Sequence, residues 1–382
     1  MARKSSNKNL HSANKTKQDE FYTQLNDIAN ELRHYRSQLE GKTILCNCDD
    51  PFESNFFKYF AANFNALKIK KLIATSFVGS PIVGKTLPLF EIEGLKPEGQ
   101  GPLVVEINEV PDLNNDGAIS LEDVEHLLKY SKNVSRQLRG DEKYDAGDFR
   151  SKECVELLKQ ADIVITNPPF SLFREFVGLL VEHNKDFLII GNINAITYKD
   201  IFKLIKEERI WLGASHRNKG IGMFFDIPDT VNIDFATRVK DGKIFIGGAI
   251  WFTTLDIPAN HEPMTLYKKY TPEEYPTYDN YDAIEVSRTK YIPADYEGHM
   301  GVPITFLNSG YNPDQFEIIG QGQGNLYREL TPKGLNQKFV DTYYKTGGTG
   351  SIKEDHPVLG YYDKNGKAVI PYMRIIIRKK KS

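Results

Sequence analysis

The chain has 382 residues, of which 40% are hydrophobic and 26% charged, a balance typical of globular proteins and sufficient for one large α/β domain with a smaller second one. A formal net charge of −2 excludes a generally basic nucleic-acid-binding composition, so any surface for a polyanion must be a local patch. The three cysteines lack metal-type spacing, which predicts free thiols in a reducing cytoplasm. The N-terminus is polar without an apolar core, so no signal peptide is predicted. Because no apolar run has the length of a membrane span, none is expected.

Residues 1–18 are rich in Lys, Asn and Ser and predict a basic flexible tail, either solvated or ordered by an anion. Asp19-Glu20-Phe21-Tyr22-Thr23-Gln24 follows, and helical apolar spacing continues from there to about Leu39. Directly before a nucleotide-type strand, this hexapeptide resembles the segment with which many DNA adenine methyltransferases cover the methionine end of S-adenosylmethionine. The resemblance makes Tyr22 and Thr23 candidate cofactor-binding residues.

Residues 42–52 predict the first buried strand and its exit turn, and a helix is expected over residues 54–64. Asp-Pro-Phe after the strand resembles the cofactor motif of the same class, in which an acidic side chain accepts from the ammonium group of the cofactor. By this resemblance Asp49, Asp50 and Pro51 are cofactor-binding candidates. Larger residues replace the usual glycines: Glu53, Ser54 and Asn55. The alternative interpretation is an N-cap cluster that opens the helix.

A second strand is predicted over residues 70–77, and it ends in Thr75 and Ser76. An acidic residue often ends this strand and holds the ribose hydroxyls, so ribose recognition has no candidate here. Residues 79–86 then fit the pattern G-x-x-x-x-G-K-[ST]. A P-loop must open a helix, whereas residues 87–94 alternate like a strand and contain a proline. A P-loop NTPase is therefore kept only as a rival function.

The segment 79–146 is predicted to be an insertion, and its residues 112–123 fit an EF-hand loop with glycine at the sharp turn. The local sequence resembles the calcium loops of dockerin modules, which carry two such loops where this chain has one. The alternative is a polar turn and helix cap. A calcium ion held here would be structural, with side-chain ligands at Asp112, Asn114, Asp116 and Asp123 and a carbonyl ligand at Ala118.

The core resumes at residues 146–151. Asp148 is a candidate for accepting a hydrogen bond from the adenine amino group of the cofactor, and Phe149 beside it is also a cofactor-binding candidate. The alternative for Asp148 is an ordinary turn aspartate.

The central motif of the chain is Asn167-Pro168-Pro169-Phe170. It ends an apolar run whose Ile163, Val164 and Ile165 suit a strand buried on both faces, and a helix-like segment over 171–180 follows at once. Neither proline has an N–H, so the strand must stop there, and the first proline keeps Asn167 extended. In an open α/β sheet the carboxyl end of a strand is where ligands bind.

This tetrapeptide matches the (D/N)PP(Y/F) motif of amino-methyltransferases, and the resemblance implies its chemistry. The Asn167 side-chain oxygen and the Pro168 carbonyl would accept the two hydrogens of an exocyclic amine and draw its lone pair out of the ring. Phe170 would stack on that ring. The catalytic candidates are Asn167, Pro168, Pro169 and Phe170.

Beyond the motif, a strand is predicted over 186–192 and a helix near 199–206. Residues 223–226 and 249–254 are expected to form a closing antiparallel pair, and Asn192 and Asn194 either line the base pocket or are turn residues. Residues 260–382 contain short β-like runs, among them 300–307, 316–320 and a last strand over 372–377. DNA contacts are predicted from a basic loop at 216–220 and the basic C-terminus, namely Arg217, Lys219, Arg378 and Lys379, although such residues also serve as solvated loops or edge protection.

Taken together, these motifs resemble the EcoRI-type adenine-specific DNA methyltransferases. Matching segments run from the lysine-rich tail through residues 19–24, 46–51, 54–60, 147–151 and 167–175 to 278–284 and 300–307. The calcium-like insertion is the main departure. The resemblance implies a class I methyltransferase fold, a Rossmann-like, mostly parallel sheet with helices on both faces, with a tail at 1–18, a catalytic domain at 19–258 and a β-rich target-recognition region at 259–382.

The implied activity is transfer of a methyl group from S-adenosylmethionine to adenine N6 in double-stranded DNA, in the bacterial cytoplasm, by a monomer with a restriction endonuclease as its genetic partner. Three rivals stay open. The same motif could act on RNA or on a protein glutamine, the chain could be a calcium-binding module on a degenerate methyltransferase core, or it could be the NTPase named above.

Overall fold

A computed structural model describes the chain over residues 22–48, 54–77, 101–111, 133–217, 221–226, 239–240, 242–330 and 333–380. Several predicted features lie outside these residues: the basic tail, Asp49 to Pro51, the P-loop-like segment, the EF-hand-like loop and Lys219. The chain divides into two compact units. The first comprises Met1–Ile201, Ile210–His216 and Gly220–Asp256, and the second comprises Phe202–Arg209, Arg217–Lys219 and Ile257–Ser382.

Strands are the more numerous elements of the described part. They are β1 Tyr22–Thr23, β2 Thr43–Cys46, β3 Lys71–Thr75, β4 Leu103–Ile107, β5 Val134–Gln137, β6 Ile163–Thr166, β7 Asp186–Asn192, β8 Trp211–Leu212, β9 Met223–Asp226, β10 Val239–Lys240, β11 Lys243–Ile246, β12 Ala249–Thr253, β13 Ile284–Glu285, β14 Met300–Pro303, β15 Phe316–Gln321, β16 Tyr361–Tyr362, β17 Ala368–Val369 and β18 Arg374–Lys379. The α-helices are α1 Leu25–Leu32, α2 Arg36–Leu39, α3 Asn55–Ala62, α4 Lys152–Gln160, α5 Phe173–Glu182, α6 Lys199–Lys206, α7 Phe306–Ser309, α8 Gly324–Arg328 and α9 Gln337–Lys345.

The main sheet of the first unit has eight strands in the order β5-β4-β3-β2-β6-β7-β12-β8. Its centre, β3, β2, β6 and β7, is parallel. The two middle strands are buried at every position, as apolar strands covered on both faces must be. Helices α3, α4 and α5 contact β3, β2 and β7 respectively. These features confirm the predicted α/β class.

The order of the strands creates a switch point between β2 and β6. The chain proceeds from β2 to β3 on one side of β2, and it returns on the other side as β6. The carboxyl ends of β2 and β6 therefore lie together at the point where the strand order reverses, which is where open α/β sheets bind ligands.

The predicted closing pair of strands is wrong. β12 pairs with β7 and β8 in the main sheet, whereas β9 pairs with β1 and β11 in a separate four-stranded sheet. The burial patterns give the physical reason. Every residue of β12 is buried, as an interior strand requires, while β9 alternates between buried and exposed or half-buried positions, as in a sheet covered on one face.

The segment predicted as an insertion contributes to the core. β4 and β5 lie within residues 79–146 and extend the main sheet beyond β3 as antiparallel strands. Four of the five residues of β4 are buried, so this strand shields β3 from solvent.

Helix boundaries follow local caps and turns. The helix expected to run to Leu39 is interrupted, since α1 ends at Leu32 and α2 begins at Arg36. The Ser54 side chain accepts from the N–H groups of Phe56 and Phe57 at 3.1 and 3.4 Å, which confirms that this serine caps α3. β7 and α6 have the bounds that the sequence predicts.

The second unit contains a four-stranded sheet in the order β13-β14-β18-β15 and a small β16-β17 hairpin. The last strand, β18, lies between β14 and β15, but β14 pairs with it only as far as Ile377, so the basic residues Arg378 and Lys379 pair with β15 alone. Ile375, Ile376 and Ile377 are fully buried, which explains its interior position. In the core of this unit the Arg374 guanidinium clamps the buried Glu285 carboxylate.

Cys46, Cys48 and Cys154 are free thiols, as predicted, and burial raises the pKa of Cys154 to about 11. No helix within the described ranges is both long and apolar enough to cross a membrane. The same residues hold no cluster of three or more His, Cys, Asp or Glu side chains arranged for a metal ion.

Candidate active site

Asn167-Pro168-Pro169-Phe170 begins directly after β6, at the switch point of the main sheet. Asn167 is 8% exposed, Pro168 is buried, and Pro169 and Phe170 are half-buried. The motif therefore has a buried polar end and a partly open aromatic end. This is the placement that the sequence predicts for a strand stopped by two prolines.

The strand that carries the motif is joined to β2 at both ends. At the amino end, the Asp162 carboxylate accepts from the Thr43 N–H at 2.7 Å, and the Asp162 N–H donates to the Thr43 carbonyl at 2.9 Å. At the carboxyl end, the buried Thr166 hydroxyl donates to the Asn47 carbonyl. These contacts fix the position of Asn167 relative to the end of β2.

The exit from the motif is fixed equally firmly. Phe170–Leu172 forms a 3-10 turn in which the Leu172 N–H donates to the Pro169 carbonyl at 3.0 Å, and α5 follows. The first residue of α5, Phe173, packs against Phe252 with ring centroids 5.0 Å apart. A Cβ on Gly191 of β7 would lie 2.3 Å from the Phe173 ring, so only glycine admits this ring.

Several buried side-chain polar atoms have no hydrogen-bond partner in the described part of the chain, and three of them are Asn47 Oδ1, Thr75 Oγ1 and Thr23 Oγ1. Asn47 directly follows β2 and Thr75 ends β3, so both lie at the carboxyl edge of the sheet. The Thr23 carbonyl accepts from the Asn55 side chain at 2.8 Å, at the start of α3. A buried polar atom that lacks a partner costs about 1–3 kcal/mol, and a polar ligand would offset that cost.

The loop that carries Asp148 rests against the carboxyl end of β3. Gly147 has φ +81°, and a Cβ there would lie 1.9 Å from the Ser76 carbonyl oxygen. Asp141 holds the loop through backbone N–H groups of Lys152, Lys143 and Tyr144, and these bonds, led by the one from Lys152, keep the pKa of Asp141 below its ordinary value.

Within this loop the structure gives Asp148 and Phe149 other contacts than the predicted ones. The Asp148 carboxylate binds the Arg150 side chain at 2.8 and 3.0 Å, and this hydrogen bond raises the pKa of the Arg150 guanidinium. Phe149 is 4% exposed and packs edge to face on Phe176 of α5. Asp148 is thus an ion-paired turn residue, and Phe149 is a core residue beside it.

The remaining candidates are placed as follows. Tyr22 and Thr23 form β1 and pair with Asp226 and Phe225 of β9. The Asn192 side chain accepts from the Asn194 N–H at 2.9 Å, which fits the turn alternative. In the second unit, Arg217 donates to the carbonyls of Ala259 and Tyr311, Arg378 pairs with Glu317 at 2.6 Å, and Lys379 donates to the Ala294 carbonyl.

Sequence reasoning missed Asn47 and Thr166, and it left Thr75 without a role. Ser76, considered together with Thr75, proves to hold the sheet, since its Oγ accepts from the Leu103 N–H at 2.9 Å. The available signal was position alone: Asn47, Thr75 and Thr166 each stand at the carboxyl end of a buried parallel strand.

Replacing Thr166 by valine is expected to lower the free energy of unfolding by about 1–3 kcal/mol and to reduce kcat more than cofactor affinity. Valine keeps the shape of the side chain but cannot donate to the Asn47 carbonyl, so Asn167 loses one of its fixed neighbours. Thermal unfolding and single-turnover methyl transfer measure the two effects. Thr166→Ser, which keeps the hydroxyl, should restore most of kcat, and a Thr166→Ser protein as slow as Thr166→Val would contradict this role.

Comparisons with known proteins show the family of the chain. The family model described as adenine-specific methyltransferase EcoRI matches residues 9–380. The chain is 42% identical over 348 residues to the type II methyltransferase M.EcoRI of Escherichia coli, covering 87% of this chain and 95% of that protein. It is 40% identical over 316 residues to the type II methyltransferase M.MpnI of Mycoplasma pneumoniae, covering 80% and 83%.

A third relative, the type II methyltransferase M.MgeORF184P of Mycoplasma genitalium, is 37% identical over 315 residues, covering 80% of this chain and 84% of that protein. No solved structure matches the chain. The family model spans nearly the whole sequence, and the 42% identity to the E. coli relative extends over most of both chains. The chain therefore belongs to the EcoRI family of adenine-specific DNA methyltransferases.

Proposed function

We propose that the protein methylates the N6 amine of an adenine that has been flipped out of duplex DNA, and that Asn167, Pro168 and Phe170 hold this base. The observation that carries this proposal is the position of the motif at the switch point, tied to β2 through Thr166 and Asn47. The target atom is inaccessible inside a stacked duplex, so the base must leave the stack to reach such a site.

In this proposal the protein contributes position and hydrogen bonding. The Asn167 Oδ1 and the Pro168 carbonyl accept the two hydrogens of N6, which directs the lone pair of the nitrogen out of the ring. The half-buried Phe170 ring supplies a face on which the base stacks. Acceptors held in place before the reaction stabilise the positive charge that develops on N6 without reorganising, which is the larger part of such catalysis.

Members of a methyltransferase family use S-adenosylmethionine, and the residues at the sheet edge fit it. The polar atoms of Asn47 and Thr75 lie at the carboxyl ends of β2 and β3, and that of Thr23 belongs to β1, whose Thr23 carbonyl binds Asn55 at the start of α3; all three have hydrogen-bonding capacity that the described chain does not use. We assign these residues, with Asp49, Asp50 and Pro51, to cofactor binding. When bound, the cofactor supplies an electrophilic methyl group on sulfur. Because Asp148 is ion-paired to Arg150 and Phe149 is buried, we place their contribution in shaping the loop.

The biological setting is part of the same proposal. The relatives are named type II methyltransferases, which supports a role as the modification enzyme of a restriction-modification system with a cognate endonuclease. We propose that the protein acts as a monomer in the bacterial cytoplasm. The predicted target-recognition region, residues 259–382, with the basic positions Arg217, Lys219, Arg378 and Lys379, would then read the target site.

The decisive experiment measures where the methyl group goes. Purified protein with isotopically labelled S-adenosylmethionine should label plasmid DNA and leave tRNA and protein unlabelled. Sequencing of DNA from cells that express the chain should show N6-methyladenine confined to one short sequence. Labelling of tRNA or of a protein glutamine instead would contradict the proposal and favour the corresponding rival.

We also propose that residues 112–123 hold a structural calcium ion, on the strength of the ligand spacing in the sequence. Chelation is then expected to lower the melting temperature while leaving kcat at 25 °C unchanged, because the proposed ion is structural and takes no part in methyl transfer. Titration calorimetry with calcium should show one site, and the Asp112→Ala, Asp116→Ala double variant should abolish it. A wild-type protein that gives no binding heat at millimolar calcium would contradict the site.

A further inference from the structure

We propose that a basic–aromatic surface centred on Tyr291 in the second unit binds the phosphate backbone of DNA. The surface consists of Lys268, Arg288, Lys290 and the Tyr291 ring. None of these residues is among the contacts assigned above. The inference rests on the proposed activity on duplex DNA, and it names the surface that would hold that partner.

Two separate segments build the surface. The first is Tyr267-Lys268-Lys269-Tyr270, and the second is Ser287-Arg288-Thr289-Lys290-Tyr291, which includes a 3-10 turn at Thr289–Tyr291. A parallel bridge between Lys268 and Pro293 and a 2.8 Å bond from the Ala294 N–H to the Lys268 carbonyl hold them side by side. The Tyr275 hydroxyl donates to the Tyr291 carbonyl at 2.7 Å, which fixes the turn from beneath.

Three cations gather on one ring. The Lys290 Nζ lies 5.3 Å from the Tyr291 ring centroid, the Lys268 Nζ 5.6 Å and the Arg288 Cζ 6.0 Å. Each contact is within the range of a cation–π interaction, worth about 0.5–1 kcal/mol at an exposed site. The same arrangement concentrates like charge, which opposes folding.

Carboxylates neutralise this charge only in part. Glu274 lies 3.5 Å from Lys268, and the Asp295 carboxylate, which forms no ion pair within the described residues, accepts from the Tyr270 N–H at 2.8 Å. Arg288 and Lys290 are exposed and form no ion pair with any part of the chain that the structure describes. Elsewhere in the same unit, basic side chains meet acids, as Arg374 meets Glu285 and Arg378 meets Glu317.

The difference between these exposed cations and the paired cations elsewhere in the unit indicates which kind of ligand the surface binds. In a chain of net charge −2, a group of cations that carboxylates neutralise only in part, on a fixed scaffold, suits a polyanion better than a single small acid. The aromatic ring keeps the cations near one another, and the exposed Tyr267 beside Lys268, at 63% exposure, widens the surface. Fixed cations of this kind position a duplex without reading its sequence.

The test is the salt dependence of DNA binding by the full-length protein. Removing Arg288 and Lys290 together, as the R288A/K290A variant, should weaken binding to target and non-target duplexes alike. The slope of log K against log salt is negative, and its magnitude should decrease by about 2, since each lost phosphate contact decreases the magnitude by about 1. Affinity near 0.15 M salt should fall roughly 30-fold by the same relation, with a slope of about −0.9 for each contact. At saturating DNA, kcat should equal that of the wild type.

The matched control is the K364A/K367A variant, which removes the same charge from exposed positions beside the β16-β17 turn of the same unit. It should leave the slope unchanged, and circular dichroism should show both double variants folded. An R288A/K290A slope equal to that of the wild type, or an equal fall in the control, would overturn the surface. A wild-type protein that methylates no DNA would instead overturn the proposed function, whatever the slope.

Discussion

Replacing Asn167 by alanine is expected to lower kcat for adenine methylation by about 10²–10³-fold while S-adenosylmethionine and DNA still bind. In the proposed mechanism Asn167 supplies one of the two acceptors that hold the N6 amine, and the preceding residue, Thr166, ties its position to the end of β2. Alanine removes that acceptor and leaves the backbone course set by the two prolines intact. Single-turnover transfer to a duplex with the target site gives the rate, and calorimetry gives the binding of each substrate.

Two companion variants separate a catalytic role from a structural one. Asn167→Asp keeps an acceptor oxygen at the same place and should retain more activity than Asn167→Ala. Asn365→Ala alters an exposed asparagine in the β16-β17 turn and should leave the rate unchanged. If Asn167→Ala methylates at the wild-type rate, the amine-holding role of this residue is wrong, even if the protein remains an adenine methyltransferase.

The sequence predicts β6, its end at the two prolines and the following helix because each is a local consequence of residue type. Ile163 to Ile165 favour a buried strand, and Pro168 and Pro169 cannot continue the hydrogen-bond ladder of a sheet. This segment can therefore be predicted without tertiary information. β7 and α6 were predictable for the same reason. Their apolar spacing is long and regular enough to decide between strand and helix.

Strand partners were not predictable in the same way. β9 and β12 both contain aromatic and apolar residues, and only the fully buried pattern of β12 distinguishes an interior strand from a sheet covered on one face. β4 and β5 join the sheet from a segment whose glycines, prolines and charges suggest an insertion. Pairing depends on which surfaces remain to be covered, a property of the assembled sheet rather than of any segment.

The site shows the same division. Asn167 could be predicted from its motif, whereas Asn47 and Thr75 became candidates only when their burial and lack of partners in the described chain were known. Asp148 illustrates the converse. Its position in the sequence suggests a ligand contact, and the structure adds a competing ion pair with Arg150 at 2.8 Å. Neither a missing partner nor a competing one can be read from residue identity alone.

The Gly147→Ala variant is expected to lose about 2–5 kcal/mol of stability and to bind S-adenosylmethionine at least tenfold more weakly, if it folds at all. Two effects add. A φ of +81° costs an alanine about 1–2 kcal/mol, and its Cβ would lie 1.9 Å from the Ser76 carbonyl oxygen, which is backbone and cannot rotate away. The loop must then move off the end of β3, where Thr75 lies. Thermal unfolding and cofactor calorimetry measure the two losses.

Two other glycines separate the cost of backbone strain at positive φ from the cost of a steric clash with the Cβ. Gly366 has φ +75° with nothing within 4 Å of a Cβ, so Gly366→Ala should cost only the backbone strain, about 1–2 kcal/mol, and leave cofactor binding intact. Gly178 lies exposed in α5 without positive φ and with open space, so Gly178→Ala should be neutral or stabilising by up to about 1 kcal/mol. If Gly147→Ala costs no more than Gly366→Ala and cofactor affinity holds, close packing of this loop on β3 does not build the cofactor site. The assignment of Thr75 to that site would then lose its structural support.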